Sequence, residues 1–426
     1  MWSSITRCAN VYALLLAACA SIHAAPALSA EGKSITLDEA IDKTLERNPR
    51  LLAFGYQLNV KRGRVQQAGL PPNPELFVTV EDALGTGEYR GFSSSETTVS
   101  LGWAFERAVR ESRINAAQAG ESLTAADIEI LRIDIAAETA LRFLTLLANQ
   151  ARAVTMKEGV DLAELTIKAV ERRVEAGRSP QADLARAQTE LAFAVLAQED
   201  IRHEIRAARH RLAAQWGTTE PDFEEVSGNP YSLPSTLPLE ELKLQAEQNP
   251  QMKRYLTKQR LDEAELRLAE AQRKPGWRGV VGVRRYASTD DFALVTGATI
   301  PLPLRNHNQG NIAEAHAVAE QTVAEMAAAK VHIETTLYVF YEALQHSLHR
   351  ANTLSNEVLP RLESALAETQ AAYELGRYSY FDWRAVQADL IEAQNALIDA
   401  SVDAHRNIIE IERLTGIRVA QTGIAQ

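Results

Sequence analysis

Helical patterns and short runs of alternating apolar residues follow one another along this chain, and the whole order occurs twice. Each copy has a short helix, a long helix, two strands, a very long helix, a glycine-containing turn and another long helix. Residues around the two turns match at one fixed offset: Glu175, Gly177, Arg178, Asp183, Gln188 and Leu191 correspond to Glu374, Gly376, Arg377, Asp382, Gln387 and Leu390. A repeat this long is not a short-period solenoid, so we expect both copies to play equivalent parts in one larger assembly.

The longest helical run extends from about Arg107 to Ala176 and contains no proline and only two glycines. At 1.5 Å per residue it predicts a helix of about 100 Å. Its counterpart is predicted from about Gln309 to Leu375. Helices of this length do not fit an ordinary globular core, so we expect them to lie side by side in a coiled coil or a helical tube.

The turn after each long helix has a recognisable end signal. Gly177 and Gly376 are predicted to take the left-handed conformation that closes a helix. Ser179 is predicted to cap a helix that starts at Pro180, and Ser379 is predicted to form a capping box with Asp382. The two return helices are predicted over about Pro180 to Trp216 and Tyr380 to Thr415.

The β segments have a period of two. After a proline-rich segment that would end any helix, the side chains from Glu75 to Glu81 alternate between two faces, as in a strand. The next strand places Val99, Leu101, Trp103 and Phe105 on one face and small or polar residues on the other. Apolar outside and small inside is the pattern of a strand that faces lipid in a barrel. The second copy offers strands over Trp277 to Tyr286 and Phe292 to Leu302.

Four strands cannot close a barrel, and open sheet edges are not tolerated in lipid. Several chains are therefore expected to share one barrel. Two ordinary hairpins on a soluble helical domain stay open as the alternative, because short alternating runs are a weak signal.

The start of the chain has the three-part layout of a secretory signal, with Arg7, an apolar run and small residues up to Ala30. The two cysteines, Cys8 and Cys19, both lie in this leader. Cys19 also fits a bacterial lipobox and is a candidate for lipidation, as the alternative to cleavage near Ala30. The formal net charge of −11 argues against nucleic-acid binding.

These signals divide the chain into five parts. Residues 1–30 are a predicted signal peptide, 31–216 a first structural repeat, 217–238 a proline-rich linker, 239–416 a second structural repeat and 417–426 a C-terminal tail. The predicted fold class is mainly α with a small β part. It combines a long α-helical coiled-coil tube with a transmembrane β-barrel shared between chains.

Three features together resemble the TolC family of outer-membrane efflux channels. They are the run Ala68-Gly69-Leu70-Pro71-Pro72-Asn73-Pro74-Glu75-Leu76, the stretch Pro301 to Gly310, and the paired turns from glycine to aspartate. The run Pro72-Asn73-Pro74-Glu75-Leu76, which leads into the first strand, is most similar to the Czc-type branch of this family, associated with heavy-metal cation efflux. The resemblance covers essentially the whole chain after the leader.

The resemblance implies a homotrimer in the outer membrane of a Gram-negative bacterium, with a barrel of 3 × 4 = 12 strands in lipid and a helical tube in the periplasm. It implies a periplasmic adaptor (membrane fusion) protein and an inner-membrane RND pump as partners, and no cofactor or catalysis. The resemblance also implies that the two glycine-containing turns form the periplasmic tip, which closes the channel and contacts the adaptor. The implied tip residues are Gly177, Arg178, Ser179, Asp183, Tyr373, Gly376, Arg377 and Asp382.

Other classes of protein fit less well. We find no catalytic motif, and His346 and His349 could share a helix face but have no third metal ligand nearby in the sequence. A periplasmic adaptor would have one helical hairpin, not two full repeats with paired strands. For the channel itself, metal cations are the expected cargo, and drugs or other organic compounds stay open as the alternative.

Overall fold

The computed structural model describes residues 34–274 and 276–416. The predicted signal peptide, including Cys19, and the predicted C-terminal tail lie outside the described residues. Within them the protein is mainly helical. No helix in these two ranges is long and apolar enough to cross a membrane.

The first half contains α1 (Leu37–Arg47), α2 (Pro49–Gly69), α3 (Arg107–Glu175) and α4 (Gln181–Ala213), and a 3₁₀ turn follows α4. Thr36 and Glu39 form the reciprocal capping box at the start of α1. The predicted helix of about 100 Å is confirmed, since α3 is continuous over its 69 residues.

The second half contains α5 (Leu239–Ala246), α6 (Pro250–Gln272), α7 (Gln309–Thr353), α8 (Leu359–Glu374) and α9 (Tyr380–Thr415). The prediction of one helix from Gln309 to Leu375 was wrong in one respect, because a π-helical turn over Leu354–Val358 separates α7 from α8. Pro360 gives the reason. Proline has no N–H, and its ring clashes with the carbonyl four residues earlier, at Asn356 inside this turn.

Two very short strands tie the predicted linker to the start of the described chain. β1 (Ser34–Ile35) pairs in parallel with β4 (Glu225–Val226). The pair lies beside a core of α1, α3, α4 and α9 residues that includes Phe143. A second core joins α5, α7 and α9 around Leu337.

The main sheet has four antiparallel strands in the order β2-β3-β5-β6. Their ranges are Glu75–Glu81, Glu96–Phe105, Trp277–Tyr286 and Asp291–Thr299. The two predicted hairpins therefore join through β3 and β5. The last strand was predicted to reach Leu302 and ends three residues earlier, where Pro301 cannot donate to a ladder.

One face of this sheet is apolar and exposed. Val78, Val99, Val283 and Leu294 stand opposite one another across the four strands, and all four are exposed. The other face carries mainly small or polar residues, among them the buried Ser100, together with Phe77 and Val280, which pair with Ser100 and Gly102. The predicted alternation of β3 is thus confirmed.

β3 and β5 approach each other closely at Gly282. A Cβ at this position would stand 2.3 Å from the Cβ of Ser100. Glycine is therefore required here by lack of space. Further along the same pair, Phe105 and Trp277 stack on the apolar face with ring centroids 4.3 Å apart.

Candidate functional site

The candidate site is the place where the turn between α3 and α4 meets the turn between α8 and α9. Gly177 and Gly376 have φ angles of 67° and 78°, as predicted. In both turns the glycine amide donates to the carbonyl three residues earlier and the next amide donates to the carbonyl five residues earlier, which is the Schellman arrangement. The distances are 2.9 Å and 2.7 Å after α3 and 2.9 Å and 2.9 Å after α8.

The helix starts after the two turns differ. Ser379 and Asp382 form the predicted capping box at α9. The hydrogen bonds from the hydroxyl and amide of Ser379 lower the pKa of Asp382. The predicted cap by Ser179 was wrong, because α4 begins at Gln181 with Pro180 in extended conformation and no side-chain cap.

A small aromatic core lies behind the turns. Tyr373, Tyr380 and Trp383 are buried beside Ala169 and Ala187. The rings of Tyr373 and Trp383 stack with centroids 5.0 Å apart. Because residues of α3, α4, α8 and α9 all contribute, this core joins the two hairpins.

Arg173 is the polar connection between the hairpins at this level. Its guanidinium donates to the backbone carbonyl of Tyr373 and lies 4.6 Å from the centre of the Tyr373 ring. It also donates to Ser179 Oγ at 3.3 Å and to the carbonyl of Arg178 at 3.5 Å. One side chain of α3 therefore contacts both turns.

Further contacts continue this joint along the helices. Arg384 pairs with Glu190 at 2.7 Å between α9 and α4, and Gln387 Nε2 donates to Thr166 Oγ1 at 2.9 Å between α9 and α3. Burial, followed by the charge of Glu190, raises the pKa of Tyr380. The joint is thus apolar inside and closed by polar contacts at its margin.

The structure brings all eight predicted tip residues to these two turns. Tyr373 is buried, Ser179 and Asp183 are half-buried, and the remaining five are exposed. Within residues 34–274 and 276–416, the side chains of Arg178, Arg377 and Asp183 form no ion pair. Their part in closing a channel stays a prediction.

Four residues of this site were not predicted from the sequence: Arg173, Trp383, Arg384 and Glu190. Arg173 precedes Gly177 by four residues on the final turn of α3, and this position could have marked it as facing the same side as the turn. Its contact with Tyr373 spans 200 residues of sequence. No local pattern could have identified that partner.

The described residues hold no group of three or more histidine, cysteine, aspartate or glutamate side chains that could bind a metal. His346 and His349 are both exposed on α7. The geometry around the turns is that of a joint between helices. Its features are tight turns, an aromatic core and exposed charges.

Comparison with known proteins shows which proteins this chain is similar to. Residues 40–218 match the family model described as outer membrane efflux protein. The cobalt-zinc-cadmium resistance protein CzcC of Cupriavidus metallidurans is 28% identical over 382 residues, which cover 90% of each chain. The nickel-cobalt-cadmium resistance protein NccC of Alcaligenes xylosoxydans xylosoxydans is 24% identical and covers 76% of this chain and 70% of its own.

Solved structures show the same fold. A structure of CusC, described for its transmembrane channel formation, aligns with a TM-score of 0.75 and 15% identity over 90% of this chain and 92% of its own. The outer membrane protein VceC of Vibrio cholerae aligns with a TM-score of 0.72 and 16% identity, covering 89% of this chain and 96% of its own.

Proposed function

We propose that the chain belongs to the outer membrane efflux protein family, whose model matches residues 40–218, and that it forms the outer-membrane channel of a tripartite RND-type efflux system. In this role it conducts heavy-metal cations passively from an inner-membrane pump and a periplasmic adaptor to the exterior. The two structural repeats supply equivalent parts of each protomer. The protein would work as a homotrimer.

The four-stranded sheet carries this proposal. β2 and β6 lie at its margins, and each pairs with one strand within the described residues. An apolar face with open edges is stable in lipid only if neighbouring strands complete the ladder. Three copies of four strands supply 3 × 4 = 12 strands, which is within the range of closed outer-membrane barrels.

The order of strands and helices along the chain supports an orientation in which the sheet lies in the membrane and the helices extend into the periplasm. The loops that join β2 to β3 and β5 to β6 lie at one end of the sheet, and the helices continue from the other end. α3 alone spans about 100 Å, which is suited to a duct through the periplasm. The two glycine turns lie at the far end of these helices, where we place the adaptor contact and the gate.

We propose Gly177, Arg178, Ser179, Asp183, Gly376, Arg377 and Asp382 as the gate and adaptor surface, with the buried Tyr373 as its support from behind. The aromatic core and Arg173 hold the two turns of one protomer together, whereas the exposed arginines and Asp183 are free to contact a neighbouring protomer or the adaptor. Opening would exchange one set of contacts for the other.

The proposed cargo follows from the relatives. CzcC and NccC are named for resistance to cobalt, zinc, nickel and cadmium. Deletion of the gene in its host, with the wild-type gene restored as a control, tests the cargo. Growth is compared on zinc, cobalt, nickel and cadmium salts and on a panel of drugs. Sensitivity to at least one cation, restored by the wild-type gene, is expected; sensitivity to drugs alone would overturn the metal assignment.

The assembly is tested separately. Membrane fractionation followed by mass measurement in detergent should place the protein in the outer membrane with three times the protomer mass. A water-soluble monomer would contradict the channel itself, whatever the cargo.

A further inference from the structure

An ion cluster lies on the small-residue face of the sheet, at the end that carries the loops. Glu81 on β2 and Glu96 on β3 are direct partners in the strand register. Arg284 on β5 pairs with both carboxylates, at 2.9 Å in the case of Glu81, and its Nε donates to Thr98 Oγ1 at 2.9 Å. One guanidinium therefore bridges two carboxylates on different strands.

The pairing of the two glutamates needs this bridge. Like charges directly opposite each other on a sheet are destabilising. Arg284 and Glu96 are partly withdrawn from water, with 27% and 22% of their side chains exposed, whereas 50% of the Glu81 side chain is exposed. Partial burial strengthens both the repulsion and the attraction to a cation. The site keeps a net charge of −1, from two carboxylates and one guanidinium.

A pair of neighbouring carboxylates is also what a divalent cation binds, because zinc and similar ions accept carboxylate oxygens as ligands. The guanidinium of Arg284 stands where such an ion would bridge Glu81 and Glu96. If the proposed channel function holds, this face lines the lumen, since the opposite face is apolar.

On that basis, we propose that Arg284 is a tethered counter-ion that prevents Glu81 and Glu96 from retaining exported divalent cations at the loop end of the channel. The cluster keeps a weak attraction for cations through its net charge. It does not offer them a two-carboxylate ligand set. Arg284 is thus a specificity-determining residue for conduction, which governs release at the exit.

The adjacent Arg285 provides a matched control. It lies on the opposite face of the same strand and pairs with Asp290 at 2.6 Å, and its side chain is 53% exposed. Arg284→Gln and Arg285→Gln remove the same charge from neighbouring positions. Only Arg284→Gln uncovers the two carboxylates.

The test is the reversal potential of purified channels in planar bilayers under a gradient of dilute KCl, where the Debye length of roughly 30 Å lets fixed wall charges act on the lumen. Arg284→Gln should increase the preference for K⁺ over Cl⁻. Added Zn²⁺ should cancel this increase at a concentration roughly tenfold below that which affects the wild type. Arg285→Gln should keep the Zn²⁺ response of the wild type, because it uncovers no pair of carboxylates.

A second variant covers the case in which Arg284→Gln does not assemble. Replacing both Glu81 and Glu96 by Gln leaves the guanidinium without a carboxylate, so the preference should shift towards Cl⁻ and become insensitive to Zn²⁺. Unchanged selectivity and Zn²⁺ response in the assembled variants would overturn the inference. A wild-type protein that forms no channel would instead reject the proposed function on which the inference rests.

Discussion

Replacing Arg173 by Met tests whether the two turns are held together at the tip. Methionine keeps an apolar chain of similar length but removes the guanidinium, and with it the donation to the Tyr373 carbonyl and the contact with the Tyr373 ring at 4.6 Å. The bonds to Ser179 and Arg178 are also lost, but at 3.3 Å and 3.5 Å they are long. The turns themselves keep their glycine geometry.

The free energy that Arg173→Met removes follows from these contacts. A hydrogen bond from a charged donor contributes about 1.5 to 3 kcal/mol, and a partly exposed cation on an aromatic ring adds about 0.5 to 1 kcal/mol. Because Arg173 is only half-buried, we take the lower end of the range. A loss of about 2 kcal/mol changes a two-state population roughly thirtyfold.

The assay is the conductance of the purified protein in planar bilayers, with hydrogen exchange at the two turns as a structural readout. Arg173→Met should raise the open fraction and speed exchange in both turns. Arg172→Met is the control, because within residues 34–274 and 276–416 the Arg172 side chain donates only to the Lys168 carbonyl of its own helix, at 3.2 Å. Equal conductance and exchange in the two variants would refute a latch at Arg173.

Three further predictions follow from other parts of the chain. Val281→Lys, on the apolar face, should lower outer-membrane assembly by about 2 to 4 kcal/mol per protomer, whereas Val280→Lys on the opposite face should assemble; membrane fractionation compares them. Burial raises the pKa of Glu412 to about 8, so the stability of the wild type falls as pH rises from 4.5 to 8. Glu412→Gln should therefore match the wild type near pH 4.5 and gain roughly 3 kcal/mol at pH 7, measured by thermal unfolding. Arg377→Ala should raise bilayer conductance if Arg377 closes the gate between protomers, and unchanged conductance would leave it a surface charge.

The features predicted correctly from the sequence have causes within a few residues. Ser379 and Asp382 form a capping box, in which each side chain satisfies a backbone amide three residues away. Gly177 takes the left-handed conformation that its own lack of a side chain permits. The alternation of β3 is likewise visible in ten successive residues.

Three errors arose where proline was given too little weight, and the first is the end of β6 at Thr299, before Pro301. Pro180 was expected at the first position of α4, but its extended backbone makes it the residue before the helix, so Ser179 lies too early to cap. Pro360 was overlooked in the second long helix. Its missing N–H is accommodated by the π-helical turn Leu354–Val358, which no hydrophobic periodicity could indicate.

The remaining features depend on residues that are distant in sequence. Arg173 meets Tyr373 across 200 residues, and Arg284 meets Glu81 across 203. The family resemblance could indicate that the two turns form one tip. It could not indicate which side chain joins them, because the pairing depends on how the two hairpins pack.

The two hairpins that end in the glycine turns differ mechanically, although the sequence pattern predicts them as equivalent parts of a repeat. α3 is unbroken and packs against α2, α4, α6 and α9, whereas α8 begins at a π-helical turn and packs mainly against α9. Helices bend most readily where the backbone hydrogen-bond ladder is irregular. The far end of α8 is joined to α3 through the Tyr373 carbonyl and Arg173. We therefore expect opening to pivot α8 about the π-helical turn while α3 keeps its position, so that the Arg173 contact is the first to break.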